Sequence, residues 1–294
     1  MTAASRPLRS WMFVPGDKER FLAKVPGLEL DVALLDLEDG VLPDRKAAAR
    51  GLVAAALGRP DGRALRYVRL NASSTPWYDD DLQAVVVPGL DGVCLTKVSD
   101  PAEVTSAAHT LTALERQRDI SPGTVRIVAA IESARGLLAA PAIAAADPRV
   151  IALIFGAEDY ALNLGLSTRR AGESADLFHA RSSIVVAATA AGVGSIDGVY
   201  PDLDDEDGME RDTLAARRLG FTAKSTFNPR QIGLINRLFA PGAEEIEYAR
   251  LVAKAFDEAT ARGNASVAVG GQLVDRPIVL RALQTLAEIG ERAA

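Results

Sequence analysis

Short β-type apolar runs alternate with Ala-rich amphipathic stretches eight times between Ser10 and Ala240. No other feature constrains the fold as strongly, because repeated βα units imply a parallel sheet. The runs are SWMFVP, VALLDLE, RYVRLN, GVCLTKV, VRIVAAIE, VIALIFGA, SIDGVYPD and TAKSTF. They are followed in turn by KERFLAKV, DRKAAARGLVAAAL, a poorly defined segment after Trp77, PAEVTSAAHTLTALERQR, ARGLLAAPAIAAA, SADLFHARSSIVVAATAAG, EDGMERDTLAARRLG and RQIGLINRLFA. Eight units in this length match an α/β (β/α)8 TIM barrel, typically about 250 residues long. A doubly wound sheet is the competitor, but no Gly-x-Gly-x-x-Gly follows any run. The expected organisation is a TIM-barrel catalytic domain over 1–240 and a C-terminal helical extension over 241–294. That tail carries a helix (AEEIEYARLVAKAFDEATARG), a Gly-rich stretch (VAVGGQLVDRP) and a last helix (IVLRALQTLAEIGERAA), suited to a lid or an oligomer contact.

Composition removes several functions. A net charge of -6 with both signs scattered along the chain gives no concentrated positive field, so neither nucleic acid nor a membrane surface is an expected partner. A single cysteine, Cys94, allows no intrachain disulfide and no multi-cysteine metal site, which suits a reducing compartment. The N-terminus lacks a long apolar core, and no apolar run approaches the roughly 20 residues of a membrane span. The expectation is a soluble, cytoplasmic protein with an ample core.

In a barrel of this kind the active site lies where strands end at their C-terminal side, so the residues that stop each apolar run are informative. They are Glu38 and Asp39, Arg69 and Asn71, Lys97, Glu132, Glu158 and Asp159, and Asp197. The fifth and sixth strands are neighbours about 4.8 Å apart, which lets Glu132 and an acid of GAEDY share one small volume. Close carboxylates repel, and Mg2+ resolves that conflict with one or two carboxylates plus waters and substrate oxygens. Strand alternation lets one of Glu158 and Asp159 face the mouth, and the residues alone leave open which. Arg69 fits a clamp for an oxyanion or carboxylate, since its planar fork stays charged.

Lys97 could serve instead as a Schiff-base nucleophile, but a carboxylate-rich mouth would hold it protonated. At the end of the first run, VPGDKERFLAK turns into a helix with Asp17 as N-cap and with Arg20 and Lys24 on one face, where they could grip phosphates. His109 and His179 fall within helices, away from strand ends. Cys94 reads as a buried inert thiol and LDDEDGMERD as a solvated helix entry.

Eight stretches in order, RSWMFVPGDKERF, VALLDLEDGVLPDRKAAAR, YVRLN, AAIESARGL, FGAEDY, GVYPDLDDEDG, GFTAKSTFNPRQI and GGQLVDRP, resemble the citrate lyase β-subunit-like family within the HpcH/HpaI aldolase superfamily. These are acyl-CoA lyases related to malyl-CoA and citramalyl-CoA lyases. The resemblance spans nearly the whole chain. It implies a TIM barrel, commonly a homotrimer, with Mg2+ held by Glu132 and Asp159 and with Arg69 on the keto-acid portion of the substrate. Phe13, Arg20 and Lys24 match positions that contact CoA, and Asp197 joins the substrate-binding set. Asp275 matches a catalytic acid/base on a C-terminal lid, often supplied by a neighbouring subunit.

The implied activity is reversible cleavage of a hydroxyacyl-CoA thioester to acetyl-CoA, or another acyl-CoA, and a small α-keto acid such as oxaloacetate, pyruvate or glyoxylate. Thioester hydrolysis on the same site, or a non-catalytic CoA- or keto-acid-binding subunit, are the alternatives. One departure stands out. Relatives often have His where this chain has Asn228, replacing an imidazole that can shuttle a proton by an amide that cannot.

Overall fold

The computed structural model describes residues 7–59, 62–167 and 175–291. The first six residues, the start of SADLFHARSSIVVAATAAG at Ser174 and the last three residues of IVLRALQTLAEIGERAA lie outside them. The eight runs become strands β1 (Ser10–Pro15), β2 (Val32–Asp36), β3 (Leu65–Arg69), β4 (Gly92–Leu95), β5 (Arg126–Ile131), β6 (Val150–Phe155), β7 (Gly194–Asp197) and β8 (Ala223–Thr226). All pair in parallel in chain order, and β1 closes on β8. The expected eight-stranded barrel is therefore the observed one.

The helices are α1 (Glu19–Leu22), α2 (Lys46–Leu57), α3 (Tyr78–Val85), α4 (Pro101–Gln117), α5 (Ala134–Ala144), α6 (Ala157–Asn163), α7 (Phe178–Ala191), α8 (Glu206–Leu219) and α9 (Ile232–Phe239). The undefined segment after Trp77 is α3. Its first turn carries Asp79, Asp80 and Asp81, which the positive end of the helix dipole favours. Asp81 is fully buried and accepts from both nitrogens of Asn71 at 3.0 and 2.6 Å, so Asn71 is a structural tie.

Period-two alternation sends one set of strand side chains into the barrel, where Trp11, Val32, Leu34, Tyr67, Cys94, Val128, Ala130, Ile154 and Ile196 pack as one buried cluster. The Trp11 and Tyr67 rings meet edge to face at 5.1 Å, and the indole N–H donates to the Leu8 carbonyl. Below the barrel, Glu115 receives Arg149 at 2.6 Å and the amides of Gly123 and Val125, closing the face opposite the mouth.

By its contacts the chain divides into a unit of Leu8–Arg237 and another comprising residues from Leu238 onward. The second unit has its own core. Ala249 and Val252 of α10 (Ala243–Ala261) pack with Val279, Ala282 and Leu286 of α11 (Arg276–Glu288) and with Val274. Val274 belongs to an antiparallel hairpin of β9 (Val267–Val269) and β10 (Gln272–Val274). Gly270 and Gly271 turn it with φ of 56° and 79°, the left-handed backbone that a two-residue hairpin turn requires. Among the described residues no helix is long and apolar enough to cross a membrane.

Candidate active site at the barrel mouth

The inward alternation continues upward from the apolar core into charge. Val32 and Leu34 lead to Asp36, Tyr67 leads to Arg69, and Val128 and Ala130 lead to Glu132. Register places Asp36 beside Arg69 and Arg69 beside Cys94. The result is a cavity lined by Phe13, Cys94, Ile154, Phe155, Val199 and Phe227 on its apolar side, with Arg69, Glu132, Glu158 and Asp159 supplying the charges.

Arg69 is held from two directions. Its Nε and Nη2 donate side-on to Asp36 at 2.8 and 2.6 Å, and Nη1 lies 3.1 Å from Glu38. The guanidinium also stacks over the Phe13 ring at 4.7 Å. Burial works against its charge, but Asp36 and Glu38 outweigh burial and raise its pKa. Glu38 is held in turn by Lys97, whose Nζ donates at 2.7 Å, while Lys46 secures the turn beneath by donating to the Leu37 and Glu38 carbonyls.

Glu132 is the misfit of this group. It is 6% exposed and accepts the Lys97 amide at 2.6 Å. Burial, then the charges of Asp159 and Glu38, push its pKa up to about 7, against the pull of the Lys97 amide and Arg69. Gly156 makes room for it: a Cβ there would collide with the Glu132 carboxylate. Lys97 itself sits in the left-handed region, with φ of 54°. Burial pulls its pKa down, and the Glu38 hydrogen bond with the charges of Glu38, Asp159 and Asp39 reverses the direction, so the ammonium is a poor Schiff-base nucleophile.

Several expectations change here. GAEDY is not a strand continuation: β6 stops at Phe155, and Glu158 and Asp159 occupy the first turn of α6. Strand alternation therefore does not choose between them, and both line the cavity. Asp159 is the more sheltered and is the one within 4.0 Å of the Lys97 ammonium. Asp17 is not an N-cap. Lys18 occupies that position without a side-chain cap, and Asp17 pairs with the Lys18 ammonium at 2.7 Å.

Arg20 and Lys24 do not share an α-helical face, because α1 is a single turn and Lys24 begins a 3-10 turn whose Pro26 cannot continue the ladder. Both are exposed near the first strand's end, and Arg20 lies over the Phe21 ring at 4.6 Å.

Asp197 does not line the cavity. Its carboxylate is buried against Arg181 at 2.7 Å and Lys224 at 2.5 Å, and Asp212 completes the cluster with the same two cations. Asp212 thus departs from the solvated reading of LDDEDGMERD. His109 and His179 are exposed on α4 and α7. Cys94 is buried, and its thiol pKa is raised by burial first and by Glu132 second. Asn228 caps the turn at Pro229–Gln231, its Oδ1 accepting from the Arg230 amide at 3.1 Å. In the second unit, Asp275 precedes α11, yet its exposed carboxylate makes no capping bond.

The sequence reading missed Asp36, although it continues the inward series Val32, Leu34 within VALLDLE. Phe227 was also missed; it sits one alternation beyond Ser225 and packs on Phe13 at 5.0 Å.

The donor set suits a hard divalent cation. Two carboxylates in one cavity, one of them disfavoured as an anion by the other, are what Mg2+ takes alongside waters and substrate oxygens. Among the described residues no group of three or more His, Cys, Asp and Glu is placed to hold a metal ion, so a cation here would take at most two protein carboxylates.

Comparison with known proteins agrees with this architecture. Residues 9–229 match the model of the HpcH/HpaI aldolase/citrate lyase family. The citrate lyase subunit beta of Leuconostoc mesenteroides subsp. cremoris is 38% identical over 95% of this chain and 92% of its own length. A (3S)-malyl-CoA thioesterase of Cereibacter sphaeroides is 35% identical over 100% of this chain and 99% of its own. Among solved structures, protein CitE of Mycobacterium tuberculosis in complex with magnesium, acetoacetate and coenzyme A superposes with a TM-score of 0.80. That match is 31% identical and covers 98% of this chain and 99% of the other.

Proposed function

The chain belongs to the HpcH/HpaI aldolase/citrate lyase family and is citrate lyase β-subunit-like, and from that premise we propose that it is a magnesium-dependent carbon–carbon lyase acting on a hydroxyacyl-CoA thioester. The observation that carries this reading is Glu132, a buried acid raised to about 7 by burial and by Asp159 and Glu38, in one cavity with a carboxylate-clamped arginine. Glu132 and Asp159 would hold the ion, and it would supply positive charge to an α-keto acid bound there.

Arg69, fixed by Asp36 and Glu38, orients that acid and balances charge on the oxygen that alternates between carbonyl and hydroxyl. In condensation Asp275 takes a proton from the methyl carbon of acetyl-CoA, that carbon bonds to the keto carbon as the carbonyl π pair moves onto oxygen, and that oxygen takes a proton from water to become the hydroxyl. In cleavage the hydroxyl proton passes to water, the carbon–carbon bond breaks, and Asp275 returns its proton to the methyl carbon. Phe13, Arg20 and Lys24 bind the CoA portion, and the assembly is a homotrimer. The apolar wall of Phe13, Phe227 and Val199 keeps water from the enolate.

A second reading, hydrolysis of the thioester on the same site, is supported by the full-length similarity to a (3S)-malyl-CoA thioesterase. The test is to incubate purified protein with malyl-CoA, citramalyl-CoA and citryl-CoA, with Mg2+ or with EDTA, and to identify products by mass spectrometry. EDTA-sensitive formation of acetyl-CoA and a keto acid is the expected result. Free CoA with an intact hydroxy acid supports the second reading, and no turnover of any of the three by folded, metal-loaded protein overturns both in favour of a non-catalytic binding subunit.

A further inference from the structure

Lys97 touches both halves of the acid pair through different atoms. Its amide donates to Glu132 at 2.6 Å, and its ammonium, 2.7 Å from Glu38, lies 3.8 Å from Asp39 and 4.0 Å from Asp159. The backbone that permits this has φ of 54°, a conformation shared among the described non-glycine residues only by Asp119. A residue with a Cβ seldom adopts it, and here it aims the amide at one acid while the side chain spans three others. The side chain is 42% exposed, so it has room to move.

We infer that Lys97 is a positioning residue whose ammonium acts as a tethered cation. It keeps Glu38 and Asp39 out of the metal's coordination shell and competes with the metal for Asp159. The inference rests on the proposed ion site at Glu132 and Asp159. Four acids, Asp36, Glu38, Glu132 and Asp159, converge on Arg69 and Lys97. Asp36 is saturated by Arg69 and by the Glu38 and Gly40 amides. Glu38 is the acid that a divalent ion could recruit if Lys97 were neutral, and a third carboxylate would occupy a position that a chelating keto acid needs. Lys97 thus trades metal affinity for an open coordination shell.

Calorimetric titration of the metal-free full chain with Mg2+, and of the same protein with Mn2+ followed by electron paramagnetic resonance, tests this without turnover. Lys97→Met is expected to bind either ion about tenfold more tightly than the unaltered protein, because one positive charge near Asp159 is gone. Its metal-loaded form is expected to bind pyruvate more weakly. Lys97→Arg, which keeps the charge, should restore both values, and Lys97→Gly, which relieves the left-handed backbone, should behave like Lys97→Met. Tighter metal binding by Lys97→Gly than by Lys97→Arg would therefore assign the effect to charge.

Should Lys97→Met fail to fold by circular dichroism, Lys97→Gln, which is neutral but keeps a polar side chain, takes its place with the same expected binding, about tenfold tighter. Binding by folded Lys97→Gln no tighter than by the unaltered protein overturns the inference. Equal or weaker metal binding by folded Lys97→Met also overturns it, leaving the proposed function intact. No metal binding by the unaltered protein overturns the proposed function as well.

Discussion

Two groups of charged side chains lie in the same barrel, one fully buried and one opening to the mouth, and they are balanced differently. Around β7 and β8, Asp197 and Asp212 face Arg181 and Lys224, two anions with two cations, at 2.5 to 3.0 Å and with side chains at most 3% exposed. Around β2 to β6, Asp36, Glu38, Glu132 and Asp159 face Arg69 and Lys97, and the ammonium of Lys46 feels the charges of Asp36 and Glu38 from below, so among the described residues four anions meet three cations. The first group is closed upon itself. The second carries an acid surplus that burial makes costly, and its strain is concentrated on Glu132. A buried ion cluster thus reads as scaffold when its charges cancel and as a site when they do not.

Breaking the balanced group should have the largest effect. Lys224→Met leaves two buried aspartates sharing one arginine and is expected to cost about 3–5 kcal/mol in urea unfolding, with no dependence on Mg2+. Next comes pH, where the two groups should respond with opposite signs. The folded-state pKa of Glu132 is raised from 4.5 to about 7, so without divalent ions the folded protein binds this proton more tightly than the unfolded chain does.

Stability from that group should fall by about 3 kcal/mol as pH rises from 4.5 to 7, and Glu132→Gln should abolish the slope. At Asp197 burial opposes the charge, but Lys224 and Arg181 depress the pKa below its usual 3.8. Its contribution is present above 3.8 and is lost as pH falls through the lower folded value. An unfolding series from pH 2.5 to 8 would separate the two.

Divalent ions sharpen the contrast further. Saturating Mg2+ at about 100 times its dissociation constant should stabilise the unaltered protein by about 2.7 kcal/mol and leave Glu132→Gln and Asp159→Asn unmoved in a thermal melt. The smallest effect is expected from Asp39→Asn. Its carboxylate is 62% exposed and 3.8 Å from Lys97, so unfolding should change by less than about 0.5 kcal/mol. A larger change would place the surplus at the rim of the mouth instead of beneath it.

The eight strands were legible because each buried run is both short and bounded. Arg69 and Glu132 were legible because each interrupts such a run where a barrel mouth must lie. Asp36 was hidden inside VALLDLE, since its meaning comes from Arg69, 33 positions away, across a strand pair. The Asp197 cluster was hidden for the same reason: its partners Arg181, Asp212 and Lys224 converge from two helices and the next strand. Asp197 accordingly looked like a mouth residue when read by position alone. Helix α6 was missed because GAEDY follows six apolar strand residues without a capping side chain, and Gly156 at its N-cap gives no hydrogen bond to signal a start.

Gly156 has the practical value of a switch. Its φ of -90° is open to alanine, so the backbone raises no objection to one added methyl group. The objection comes from Glu132, whose carboxylate fills the space that the methyl would take. Gly156→Ala would therefore evict the acid while leaving the strands and their register alone, yielding a folded blank against which any activity of the native chain can be read.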